Sequence, residues 1–287
     1  MKKWFMLSLI SAALSASVFA DDEPKIDWKT QQLSENVYVL FGRGGNIAVH
    51  VGDDGIYLVD DQFANLSEQI KAQIASLKPG VPEFVINTHY HGDHTGGNEN
   101  FAKAGSHVIA HHHVHARLED KHGADSDALP RLTFGNDMTL HFNNEHAHIR
   151  HYPNAHTDGD AAVFFPKADV IHFGDMFFNT GGLPYVDVEG GGSVNGLLAA
   201  LKDLNSQVKE STKLIPGHGP VASKADLVRY IELIEGAKAK MLAAMAKHDS
   251  EEAVLKADPL EGMGLSYASW LPKERVTKLF YQSLSQK

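Results

Sequence analysis

The sequence predicts an α/β fold of four layers, an αββα sandwich in which two mixed β-sheets pack face to face with helices outside. Three observations predict it. Short β-branched or aromatic runs alternate with helical patterns through two successive halves of the chain, the pattern of strands paired into sheets and covered by helices. Several strands in each half run straight into a turn bearing histidine or aspartate. No internal repeat or low-complexity linker interrupts the 287 residues, so one large domain accounts for them.

The elements follow in order. Residues 1–20 open with Lys2 and Lys3, continue through an apolar run, and end Ser17-Val18-Phe19-Ala20, the charge, apolar and small-residue order of a cleavable export signal. The expected mature unit is therefore residues 21–287, exported to the periplasm or beyond and free of the membrane once the signal is removed. Residues 37–41, 47–51 and 56–59 read as an antiparallel meander, split by Gly42, Gly44-Gly45 and Asp53-Asp54-Gly55. Leu66, Ile70, Ile74 and Leu77 recur at helical spacing until Pro79-Gly80 stops them. Residues 84–86 form a strand that delivers the chain into Thr88 and His89. Residues 108–110, 162–165, 170–173 and 213–215 read as further strands. A helix spans about 195–204 with Ser193 as its cap, and a long helix from Ser223 carries Asp226 where a capping box needs an acid. Short helices from Ser250 and over 273–283 form a helical tail, expected to serve packing alone.

Composition narrows the function. The formal net charge is −10, and losing the two signal lysines takes it to −12. A chain this acidic has no basic stripe for phosphates, which argues against a nucleic-acid partner; the small-molecule substrate expected below comes from the site and not from the charge. There is no cysteine, so neither a disulfide nor a thiolate ligand is available.

The densest chemistry lies in Thr88-His89-Tyr90-His91-Gly92-Asp93-His94-Thr95-Gly96-Gly97. Three imidazoles and a carboxylate this close make a poor core, because each polar tip needs a partner, but together they suit zinc and similar divalent ions. In extended chain His89 and His91 point to one side. Asp93 and His94, at a tight turn after Gly92, aim at a second position. His156, Asp175 and His218, each in a glycine-flanked turn, are the candidates to complete two adjacent sites.

This order of motifs, with Asp60 at an earlier strand end, resembles the metallo-β-lactamase superfamily of zinc hydrolases over residues 37–218. The resemblance implies that His89, His91 and His156 hold a first zinc, that Asp93, His94 and His218 hold a second, and that Asp175 bridges them. Asp60 would orient the site from behind the ligands. The absence of cysteine excludes the β-lactamases with a thiolate ligand. The cysteine-free β-lactamases usually lack the bridging aspartate, whereas glyoxalase II enzymes and lactonases have it; no basic patch for glutathione is evident.

The expected activity is hydrolysis of a β-lactam-type amide, ester, thioester or lactone carbonyl by a hydroxide on two zinc ions, with Asp93 also moving protons. A glyoxalase II-like thioesterase or a lactonase is the nearest alternative. Iron in the same ligands would give a sulfur oxidoreductase, mixed metals are conceivable, and the wealth of histidine also fits metal binding without turnover. Tyr185, in the glycine-rich stretch 177–193, is the candidate substrate contact. His111, His112, His113, His115, His141, His146, His148 and His151 are expected to be solvated strand edges and a helix start, with an accessory metal site as the alternative.

Overall fold

The computed structural model describes residues 26–286, so the export-signal expectation for residues 1–20 lies outside them. The first sheet has seven strands in sequence order: β1 (Lys29–Gln32), β2 (Val37–Phe41), β3 (Ile47–Gly52), β4 (Gly55–Val59), β5 (Phe84–Ile86), β6 (His107–His111) and β7 (Leu132–Phe134). Strands β1 to β4 pair antiparallel and β4 to β7 parallel. The second sheet, in order β12-β11-β10-β9-β8, comprises β8 (Asp137–Phe142), β9 (Glu145–His151), β10 (Ala161–Phe165), β11 (Val170–His172) and β12 (Lys213–Ile215). Only β11 and β12 run parallel in it.

Helices α1 (Ser67–Leu77), α2 (Gly92–Thr95), α3 (Asn98–Ala104) and α4 (His112–His122) connect strands of the first sheet. Helices α5 (Val194–Gln207), α6 (Lys224–Met245), α7 (Glu251–Lys256) and α8 (Lys273–Ser285) belong to the second half. Ser193 caps α5 through the Gly196 N–H, and Ser223 with Asp226 makes the capping box of α6.

Three apolar clusters fill the spaces between four layers. Val39, Val59, Ile86, Ile149, Val163 and Ile215 meet between the sheets. Their sequence neighbours Leu40, Leu58 and Val85 turn the other way, onto Ile70 and Ile74 of α1 and Phe101 of α3. On the far side Ile171 and Leu214 pack with Leu201, Ile234 and Phe280 of α5, α6 and α8. Successive strand residues face opposite layers, so strands buried on both faces read as continuous apolar runs. None of the helices among the described residues is long and apolar enough to cross a membrane.

The tight turn that carries Asp93 and His94 is one turn of helix, α2, whose Gly96 N–H bonds the Gly92 carbonyl. One expectation needs correction. The histidines at 111–115 and 141–151 are not uniformly solvated. His111 is buried and stacks on His151 at 3.6 Å, while His141 and His146 are exposed.

Candidate metal centre

Each candidate ligand hangs from the end of an element, and the two sheets bring those ends to one rim. His89 and His91 follow β5, Asp93 and His94 ride on α2, His156 follows β9, Asp175 follows β11 and His218 follows β12. The fold gathers all seven into two neighbouring groups. In the first, one ligand atom each of His89, His91, His156 and Asp175 lie within 4.8 Å of one another; Asp93, His94 and His218 form the second on the same criterion. The His91 Nδ1 stands 3.1 Å from the His89 Nε2 and 3.0 Å from the His156 Nε2. Asp175 lies between the groups: its Oδ2 is 3.7 Å from the Nε2 atoms of His89 and His156, and its Oδ1 is 3.0 Å from His94 Nε2 and 3.4 Å from His218 Nε2. Asp93 Oδ2 is 3.2 Å from His218 Nε2.

The rings are oriented from behind. His94 turns its Nδ1 to Asp60 Oδ2 at 2.7 Å, and the Asp60 carboxylate also accepts from the Thr88 N–H at 2.7 Å and hydroxyl at 2.8 Å. Asp60 has a left-handed backbone, φ 66°, which costs an ordinary residue about 1 kcal/mol or more and persists only where surrounding bonds fix it. His156 Nδ1–H donates to the Tyr185 carbonyl at 2.6 Å. His91 donates through Nε2–H to Asp187 at 2.9 Å, and the Tyr90 hydroxyl donates to the same carboxylate. Asp187 carried no signal in the sequence. It is an aspartate in a glycine-rich loop, where turn formation is the ordinary reading.

Electrostatics show that the arrangement accommodates positive charge. Burial, then the neighbouring imidazoles, hold the His89 pKa well below its ordinary value; burial and His91 bring His156 down to about 4. Burial also works against a proton on His94, yet Asp175, Asp60 and Asp93 hold its pKa well above the usual value. The Asp175 carboxyl stays ionised against burial because His94, His218 and His89 surround it. Its Oδ1 and His94 Nε2 are buried without a hydrogen-bond partner despite their proximity. Inward-facing imidazole nitrogens with two carboxylates, backed by carbonyls and carboxylates, are what divalent borderline metals need. These residues fit a divalent metal centre.

A cleft of about 510 Å³ opens over the group, lined by His91, Asp93, Asp175 and His218 and walled by Arg43, Phe63, Tyr185, Trp270 and Arg275. Tyr185 thus stands beside the ligands, its ring 5.7 Å from those of His91 and His156. Trp270 and Arg275 correct the expectation that the helical tail only packs. Trp270 meets Tyr185 edge-on at 6.0 Å, and the Arg275 guanidinium lies 5.2 Å over the Tyr185 ring.

A family model described as the metallo-beta-lactamase superfamily matches residues 32–218. Among curated proteins, a hydroxyacylglutathione hydrolase of Polaromonas sp. (strain JS666) is 27% identical over 176 residues, 60% of this chain and 61% of its own length. Another, of Nitrosococcus oceani, is 27% identical over 181 residues, 62% of this chain and 64% of its own. The chain spans less than two thirds of these curated relatives. A solved metallo-beta-lactamase from Pontibacter korlensis matches with a TM-score of 0.63 at 17% identity, covering 72% of this chain and 99% of that one. At that identity the likeness is one of fold.

Proposed function

Starting from the fact that the chain belongs to the metallo-beta-lactamase superfamily, we propose that it is an exported hydrolase of a small acyl compound bearing an anionic group, working with two zinc ions. The observation that carries the reading is Asp175, one carboxylate whose two oxygens address two separate groups of imidazoles. His89, His91 and His156 would hold one ion and Asp93, His94 and His218 the other, with Asp175 shared. A bound pair of such ions supplies a nucleophile from water near neutral pH and neutralises charge developing on the attacked carbonyl oxygen.

The chain's own residues do the rest. Asp93 is the part-exposed carboxylate among the ligands, placed to take the proton of the attacking water and pass it to the departing heteroatom. Burial opposes its charge, but His94 and His218 hold its pKa below the usual value, so it is ionised. Arg43 and Arg275 offer charge to a substrate anion, while Phe63, Tyr185 and Trp270 offer faces to an apolar acyl group. A thioesterase reading is favoured by the curated relatives, both hydroxyacylglutathione hydrolases by name.

The test is a panel of nitrocefin, an acylglutathione thioester and an acyl lactone, run on metal-loaded protein whose ion content is measured in parallel. We expect two zinc per chain and turnover of at least one class, with Asp93→Ala lowering kcat by roughly 10²–10⁴-fold, the scale of lost proton transfer. Arg275→Ala should raise KM more than it lowers kcat. Full activity in metal-loaded Asp93→Ala, or no turnover on any class, defeats the proposal; one iron per chain would favour the sulfur oxidoreductase.

A further inference from the structure

His111, His112 and His113 close β6 and open α4, and none of them belongs to the centre around Asp175. One ring nitrogen of each lies within 4.8 Å of the others. His112 turns its Nδ1 to the Phe134 carbonyl at 3.3 Å and His113 turns its Nδ1 to the Asp158 carbonyl at 2.9 Å. A carbonyl oxygen accepts and cannot donate, so in both rings the proton sits on Nδ1 and the Nε2 lone pair is left for a ligand. Backbone carbonyls hold metal-binding histidines in this tautomer.

The third ring is buried. His111 stacks on His151 with planes 10° apart, and His151 is itself locked by its Nδ1–H on the Asp160 carbonyl at 2.9 Å. The His111 Nδ1 accepts one long bond, 3.3 Å, from the His113 N–H, so its lone pair lies on Nδ1 and a metal would take it by displacing that weak bond. The nearby carboxylate, Asp158, is engaged by Arg117 through two bonds of 2.8 and 2.7 Å. The donor set is therefore nitrogen alone, which suits copper, nickel or zinc and not magnesium or calcium. The positive end of α4 opposes a cation there, a weak field set against bonds from three imidazoles.

We propose that His111, His112 and His113 form a separate metal site for a divalent transition ion, which staples the first turn of α4 to the end of β7 and to the loop after His156. The anchors set that role: Phe134 ends β7, and Asp158 lies two residues beyond His156.

The experiment is equilibrium dialysis against Zn²⁺ followed by elemental analysis, comparing the wild type with His112→Ala/His113→Ala and with His141→Ala/His146→Ala. The second variant removes the cross-strand pair whose Nδ1 atoms face each other at 2.8 Å. The 112/113 variant should hold one ion fewer per chain with an unchanged circular dichroism spectrum, and the 141/146 variant should match the wild type. Zinc should also raise the thermal midpoint of the wild type more than that of the 112/113 variant. Equal ion content in wild type and the 112/113 variant, or loss of the ion in the 141/146 variant instead, overturns the proposal. The comparison counts a difference between variants, so its outcome is independent of how many ions the central site holds.

Discussion

At the scale of single residues, Asp187 decides how firmly His91 is aimed. Burial alone would raise its pKa, but the bonds from His91 and Tyr90 outweigh burial and hold the carboxyl well below the usual range. Asp187→Ala would leave His91 Nε2–H without its acceptor and let the ring turn. Metal affinity should fall about 10–100-fold, with Asp187→Asn in between because its amide oxygen still accepts. Competition with a chromophoric chelator measures this, and an Ala variant that holds metal as tightly as the wild type would remove Asp187 from the site. Gly217 shows the same closeness from the other side: a Cβ there would stand 2.0 Å from Asp175 Oδ1. The cluster at 89–94 was legible in the sequence because its density has no cheap structural alternative. Asp187 was not, because its partner is a ring brought near only by folding.

At the scale of elements, the regular strands and capped helices were legible from apolar runs and capping residues, while the β8–β9 hairpin was not. Its strands alternate exposed polar residues, many of them histidine, with apolar ones, and Asn143-Asn144 turn with φ of 57° and 56°, a conformation asparagine tolerates. That hairpin also reaches across the sandwich. Asn143 Nδ2–H donates to His50 Nδ1 at 3.1 Å, and the His50 ring stacks on Tyr57 at 4.7 Å and faces Phe165 at 6.0 Å. Burial lowers the His50 pKa to about 4, with Glu145 opposing. The folded state thus binds fewer protons than the unfolded chain between pH 6.5 and about 4. The stability this ring contributes is complete above pH 6.5 and is lost as pH falls towards 4. His50→Phe should flatten the fall in thermal midpoint from pH 7 to pH 5; identical slopes in variant and wild type would count against this account.

At the scale of the whole molecule, both sheets contribute to one rim, so an ion there ties the halves together. Chelation should lower the thermal midpoint of the entire domain in a single transition. A ligand at a hundred times its Kd contributes about 2.7 kcal/mol, and each kcal/mol moves a domain of this size by roughly 2–4 °C. Calorimetry with and without chelator checks it, and an unchanged midpoint would mean that the rim is already stable without an ion. The sequence by itself determined the layered α/β class, the strand ends and the ligand-type residues, because periodicity, capping and the cost of burying imidazoles are local matters. Only the tertiary structure decided that Asp175 faces both groups, that Asp187 backs His91, that Trp270 and Arg275 of the tail wall the cleft, and that His112 and His113 are held in one tautomer by backbone carbonyls beside His111. Those relations join residues distant in the chain, and they follow from how the two sheets stack, which no local pattern encodes.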